Sequence, residues 1–150
     1  MLSKVLFFLI GFFVYLPSGF SNTHPDDIIG QWMSVQGNVK VQVYRDGNEY
    51  KAKVLWFKDT DDKSKPMNTR TDERNPDPKL RNRKIIGMQV LSKMRFNSKS
   101  GRWEDGLIYD AKTGKEWSSV AYFNRSGLLN LKGYWQFEFI GKTMTFKRVD

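Results

Sequence analysis

The chain has 150 residues, 25 Lys and Arg against 16 Asp and Glu, a formal charge of +9, and no Cys. That composition excludes disulfide staples and thiol chemistry, and leaves one His, His24, for any histidine-based mechanism. A basic chain suits anionic partners such as acidic lipid head groups, lipopolysaccharide or acidic glycans; no motif for binding nucleic acid accompanies the charge.

Residues 2–21 have the layout of a secretory signal peptide. Lys4 gives a basic start, Val5 to Leu16 is uncharged and apolar, and Pro17-Ser18-Gly19-Phe20-Ser21 places small residues at Gly19 and Ser21. Cleavage is expected after Ser21, giving an exported protein, periplasmic or secreted, that begins at Asn22. The alternative is an uncleaved anchor, and the apolar run is short of the roughly 20 residues that span a bilayer as a helix. Residues 22–150 are then one domain, long enough for a single core.

Strand patterning dominates after Asp26. Val39, Val41 and Val43 alternate with polar residues, Asp46-Gly47 is a hairpin signal, and Tyr50, Ala52, Val54 and Trp56 alternate in turn. Residues 58–84 break the pattern with a long polar connection carrying Pro76 and Pro78, expected to lack regular structure. Strands resume at Ile85–Phe96, with Ile86, Met88, Val90, Met94 and Phe96 on one parity. Further strands occupy Trp103–Tyr109, the region of Trp117–Phe123, the region of Leu129–Trp135, and Thr143–Arg148, separated by Gly-containing turns. The fold class predicted is all-β: an antiparallel meander of about eight strands, closed or nearly closed into a barrel, which removes exposed edges.

The two ends of the meander carry a closure signal. Gly30-Gln31-Trp32 opens it, and Met144, Phe146 and Arg148 share one parity at its end. A guanidinium that starts inward needs a partner, and the face of Trp32 offers one by cation–π stacking. The competing reading is that Arg148 snorkels to water. A Gly-x-Trp opening strand with an Arg on the closing strand resembles the lipocalin and fatty-acid-binding barrel superfamily.

From Ile28 to Arg148 the chain resembles a bacterial exported family catalogued as domain of unknown function 2147. The resemblance rests on Asn75-Pro76-Asp77-Pro78-Lys79-Leu80-Arg81-Asn82-Arg83, Ile86-Gly87, Trp103-Glu104-Asp105-Gly106, Ile108-Tyr109-Asp110, Thr113-Gly114-Lys115, Leu131-Lys132-Gly133-Tyr134 and Gly141-Lys142-Thr143. It implies an exported all-β domain and no particular activity. The family usually has Tyr near position 117 and Trp near 146, where this chain has Trp117 and Phe146. Both departures bear on what the interior accommodates.

Several chemistries lack their residues. His24 lies near the expected new N-terminus, a poor place for a catalytic base. Zinc has no Cys and one His to bind it. A calcium loop begun at the Asp59, Asp61, Asp62 cluster would need Gly and Glu where Ser64 and Arg70 stand. No metal or cofactor is therefore expected. Carboxylates remain for glycosidase chemistry in Glu104, Asp105, Asp110 and Asp77. Asp105 shares parity with Trp103, Leu107 and Tyr109 and is expected inside, as a structural ion-pair member or a catalytic acid.

Arg81 and Arg83 either hydrogen-bond the long loop to the barrel rim or form a cationic mouth for a ligand carboxylate or phosphate. Asn75 and Asp77 either cap a turn of that loop or join the mouth. The aromatic set, with Trp103, Tyr109, Trp117 and Trp135, divides between core and pocket lining. The leading expectation is a non-catalytic exported barrel that binds a small amphipathic or apolar ligand at Asn75, Asp77, Arg81, Arg83, Trp103, Asp105, Tyr109, Trp117 and Trp135. The second is a packed module acting through its basic surface on envelope polymers, and the third a carboxylate-based glycan hydrolase.

Overall fold

The computed structural model of the protein describes residues 22–138 and 141–150; the expected signal segment lies outside the described residues. Eight antiparallel strands run in chain order around a closed barrel. They are β1 Gly30–Ser34, β2 Val39–Asp46, β3 Glu49–Phe57, β4 Gln89–Asn97, β5 Arg102–Asp110, β6 Lys115–Phe123, β7 Leu129–Tyr134 and β8 Lys142–Arg148. Since every neighbour is antiparallel, the connections after β1, β3, β5 and β7 emerge at one end, and those after β2, β4 and β6 at the other.

The second end is plugged. A short 3-10 turn, Pro25–Ile28, precedes β1 and is capped by His24, whose Nδ1 accepts from the Asp26 amide while Asp27 accepts from the His24 amide. Ile28 is fully buried there. Its carbonyl accepts from Trp32 Nε1 at 2.8 Å, and the Pro25 carbonyl accepts from Trp103 Nε1 at 2.9 Å. Tyr50 Oη donates to Asp26 at 2.8 Å. Around the plug Trp103 packs against Tyr50, Phe96 and Phe123, and Phe123 against Trp32. Tyr and Trp suit this place because each buries a large apolar body and gives its one polar hydrogen to a turn carbonyl or carboxylate.

Closure is made by three residue pairs between β1 and β8, with Trp32 opposite Arg148. The Arg148 guanidinium lies 4.4 Å from the Trp32 ring centroid and donates to the carbonyls of Ile29 at 2.8 Å and Asp27 at 2.5 Å. It therefore joins the last strand to the first and to the plug. Gly30 makes room for it: its φ is +144°, and a Cβ at that position would sit 2.2 Å from Arg148 Nη1. The chain's last residue adds to the same end, Asp150 Oδ2 accepting from the Gln31 amide at 2.9 Å.

Three local irregularities depart from simple alternation. A register shift between β2 and β3 sets Trp56 opposite Lys40 on the outer side and gives its expected inward place to Phe57. In β4, Lys93 is left-handed (φ 59°), so Leu91, Met94 and Phe96 form the inward series in place of the single parity expected from Ile86. In β5, Asp105 is left-handed (φ 60°), so Trp103 is succeeded inward by Gly106 and not by Asp105. One extra residue in a strand flips every later side chain to the other face. The strand expected from Ile85 starts only at Gln89, because Ile85–Met88 forms a turn whose Gly87 amide and Met88 carbonyl bond to Val54. The long connection is also more ordered than expected, with 3-10 turns at Met67–Thr69 and Pro78–Leu80 and a bridge between Thr71 and Lys84.

Arg148→Met should lower unfolding stability by about 1–2 kcal/mol through loss of the ring contact and its carbonyl bonds. Gly30→Ala should cost at least as much, since the new methyl displaces the same guanidinium. Denaturant midpoints with Trp fluorescence as the signal check both; unchanged midpoints would mean that the strand ladder alone holds the seam.

Candidate functional site

Between the aromatic plug and the open end lies a cavity of about 640 Å³. Its wall is apolar: Val39, Val41, Val43, Ala52, Val54, Leu91, Ile108, Leu129, Leu131 and Phe146 come from strands around the barrel. Ile28 and Trp32 form part of its floor. The space exists because the wall is built mostly of Val, Ala and Leu, too small to fill an eight-stranded barrel. Polar side chains come in where strands give way to connections, with Asn38, Lys58, Thr60, Asp61, Arg70, Tyr109, Asp110 and Lys112 at the mouth. The size falls within the roughly 300–1,000 Å³ of small-molecule sites.

Of the residues singled out in the sequence for ligand binding, Tyr109 lines this cavity. Trp103 does not: it is wholly buried in the plug. Trp117 and Trp135 meet edge to face at 6.1 Å, with Trp135 largely exposed, and neither lines the cavity. Asp105 is turned outward by its left-handed backbone and lies exposed beside Glu49, Lys93 and Arg95. Asn75, Asp77, Arg81 and Arg83 are all engaged within the long loop. Asp77 caps the Pro78–Leu80 turn by accepting from the Lys79 amide, and its own amide donates to Asn75 Oδ1. Arg81 Nε donates to the Asn75 carbonyl at 2.8 Å.

The loop is organised around a residue that sequence reading passed over. Asp72 has no solvent-exposed surface. Its Oδ1 accepts from Tyr109 Oη at 2.6 Å; its Oδ2 accepts from Asn75 Nδ2 at 2.8 Å and from Arg83 Nε at 2.9 Å, with Arg83 Nη2 also at 2.9 Å. The Arg83 guanidinium lies 5.4 Å from the Tyr109 ring centroid. Burial pushes the Asp72 carboxyl up, but the bonds from Tyr109, Asn75 and Arg83 outweigh it and hold the group below the usual carboxylate range. The Tyr109 hydroxyl is raised, first by burial and then by its bond to Asp72. Nothing in the residue order sets Asp72 apart from Asp59, Asp61 or Asp62; its role comes from the approach of Tyr109 across the mouth. The β5–β6 turn packs on the same loop, where Arg74 Nη1 donates to the Lys112 carbonyl at 2.7 Å.

The arrangement can enclose an apolar body and meet a polar end at the mouth. Two acids line it, Asp61 and Asp110; Arg70 binds the first, and the second accepts from the Lys112 amide and Thr113 Oγ1 within its own turn. Among the described residues, no group of three or more His, Asp or Glu is arranged to hold a metal ion.

Asp72→Ala should destabilise the protein by about 1–3 kcal/mol, because the Tyr109 hydroxyl and the buried Asn75 amide lose their acceptor while the partly exposed Arg83 can turn to water. The milder Asp72→Asn gives the pH test. A carboxyl whose folded value is depressed stabilises fully above its unfolded value near 4, and loses that contribution as pH falls through the folded value. The stability gap between native protein and Asp72→Asn should thus be constant near neutrality and shrink below about pH 4. Urea unfolding across pH 2–7 measures it; a gap independent of pH would remove Asp72 as the ionised centre of the loop.

Among solved structures the chain is similar to the protein HP1028 of Helicobacter pylori, described as belonging to the lipocalin family, with a TM-score of 0.68 and 24% identity over 83% of this chain and 84% of that one. A likeness at that identity speaks for the fold, an eight-stranded lipocalin-like barrel. No curated protein matches the chain. A bacterial family described as an uncharacterized protein conserved in bacteria (DUF2147) matches residues 30–148, and the chain belongs to that family.

Proposed function

We propose that this protein is a non-catalytic carrier in the cell envelope, holding one small amphipathic or apolar molecule in its barrel. The observation that carries the reading is the apolar cavity of about 640 Å³ above a plugged floor, with polar side chains at its rim. Transfer of apolar surface from water into such a wall is worth about 25 cal/mol per Å². The cavity also weighs against a module whose interior is fully packed. Glycan hydrolysis has little support, since Asp105 faces away from the cavity and the two acids at the mouth are already bonded. Export is part of the proposal and rests on the signal-like layout of residues 2–21. The net charge of +9 suits residence beside anionic envelope surfaces.

A neutral apolar fluorophore such as N-phenyl-1-naphthylamine should bind with one-to-one stoichiometry. Val41→Trp, which puts an indole into the cavity, should abolish that binding while leaving the free energy of unfolding within about 1 kcal/mol, because the cavity has room for it. Absence of saturable binding to the native protein would favour the basic-surface module. Intact-mass analysis of the exported fraction should give a chain beginning at Asn22; full-length protein recovered in the membrane would favour the anchor.

A further inference from the structure

The mouth is lined by three cationic side chains, Lys58, Arg70 and Lys112, and they are not equivalent. Arg70 is fully committed. Its Nε donates to the Lys65 carbonyl at 2.8 Å, Nη1 and Nη2 donate to the Asp61 carboxylate at 3.2 and 2.9 Å, and Nη2 also reaches the carbonyls of Asp59 and Asp62. Its guanidinium stands over Phe57 as well. Of the loop's arginines, Arg83 is held by Asp72, and Arg81 gives its Nε to the Asn75 carbonyl. Lys58 and Lys112 differ: among the described residues neither ammonium group has a hydrogen bond or an ion pair. The acid nearest in sequence to Lys112, Asp110, accepts from the Lys112 amide and Thr113 Oγ1.

Their placement is set by the topology. Lys58 is the first residue after β3 and Lys112 lies in the turn after β5, so both stand at the open end. Only β4 separates their strands on the circumference, two inter-strand spacings or about 10 Å. Flexible four-carbon stems allow both ammonium groups to converge on one anionic group between them. The wall below offers no polar partner until the floor, so an apolar chain and a charged head have one way to lie: chain down, head at the lysines.

We infer that Lys58 and Lys112 form a head-group site, and that the ligand is a single-chain amphiphile with an anionic head. This rests on the carrier reading above, and it replaces Arg81 and Arg83 with two lysines as the cations that meet the ligand.

The test uses displacement of bound N-phenyl-1-naphthylamine by three amphiphiles of equal chain length: dodecanoate, 1-dodecanol and dodecyltrimethylammonium. Native protein should bind dodecanoate about tenfold more tightly than dodecanol, with dodecyltrimethylammonium weakest, and the preference for dodecanoate should fall as salt is raised. Lys58→Gln/Lys112→Gln should weaken dodecanoate about tenfold and leave the neutral probe and dodecanol unchanged. Lys58→Glu/Lys112→Glu should reverse the order in favour of dodecyltrimethylammonium. Both lysines are exposed, so the unfolding midpoint should stay put in each variant. If the neutral probe binds but dodecanoate is held no better than dodecanol, or if the variants leave the order unchanged, the head-group site is overturned and the carrier stands. If the neutral probe finds no saturable site in native protein, the carrier reading fails and takes the head-group site with it.

Discussion

Hydrogen bonding across the seam between β1 and β8 turns a row of eight strands into a barrel, through three ladder pairs flanked by backbone bonds from Val35 to Thr145 and from Val149 to Gln31. A seam that short leaves two strand edges to be held by something more than ladder bonds. Arg148 supplies it, stacked on Trp32 and bonded to two carbonyls of the segment that plugs the floor. The plug depends on the seam and the seam on the plug, because Trp32 donates to Ile28 while Arg148 holds Ile29 and Asp27. Without closure there would be exposed sheet edges and no enclosed volume.

The interior is then divided by side-chain size. Trp32, Trp103, Tyr50, Phe96 and Phe123 crowd one end, and mostly aliphatic residues, with Phe57 and Phe146, line the other. Aromatic residues fill the cross-section of an eight-stranded barrel; small aliphatic ones leave it open. At the mouth a second division applies, by charge. The arginines, with their planar forks, are used where carbonyls and carboxylates can engage several donors at once, around Asp72 and Asp61. Lys58 and Lys112, point charges on flexible stems, have no such partner among the described residues. On the head-group site proposed above, structure and recognition would draw on different cations within one basic surface.

Much of the barrel was legible in residue order. Alternation at Val39, Val41 and Val43, the Asp46-Gly47 turn, and the pairing of Gly30-Gln31-Trp32 with Arg148 come from period-two patterning and from the cost of an unpartnered inward charge. The misread strand facings come from local irregularities. Lys93 and Asp105 adopt left-handed backbone, and the register shift by Trp56 adds a further irregularity, all at residues that carry no glycine-like signal. Each inverts the facing of the next residues in its strand, so Asp105, expected inside, lies outside. The site was less legible because its organising groups meet across the mouth. Asp72 gains its role from Tyr109, 37 positions away, and no local pattern announces such a contact. Lys58 and Lys112 were within reach of inference, since the residues just past β3 and β5 must emerge at the same end of an antiparallel barrel.

Both described chain ends lie at the plugged pole. Pro25–Ile28 forms the plug itself, and Asp150 bonds to Gln31 beside it. Asn22 and Asp150, the ends of the described chain, thus stand at the pole opposite the mouth. A tether attached at either terminus would point the opening away from its point of attachment. On the carrier reading proposed above, the ligand would then enter and leave on the side away from that attachment.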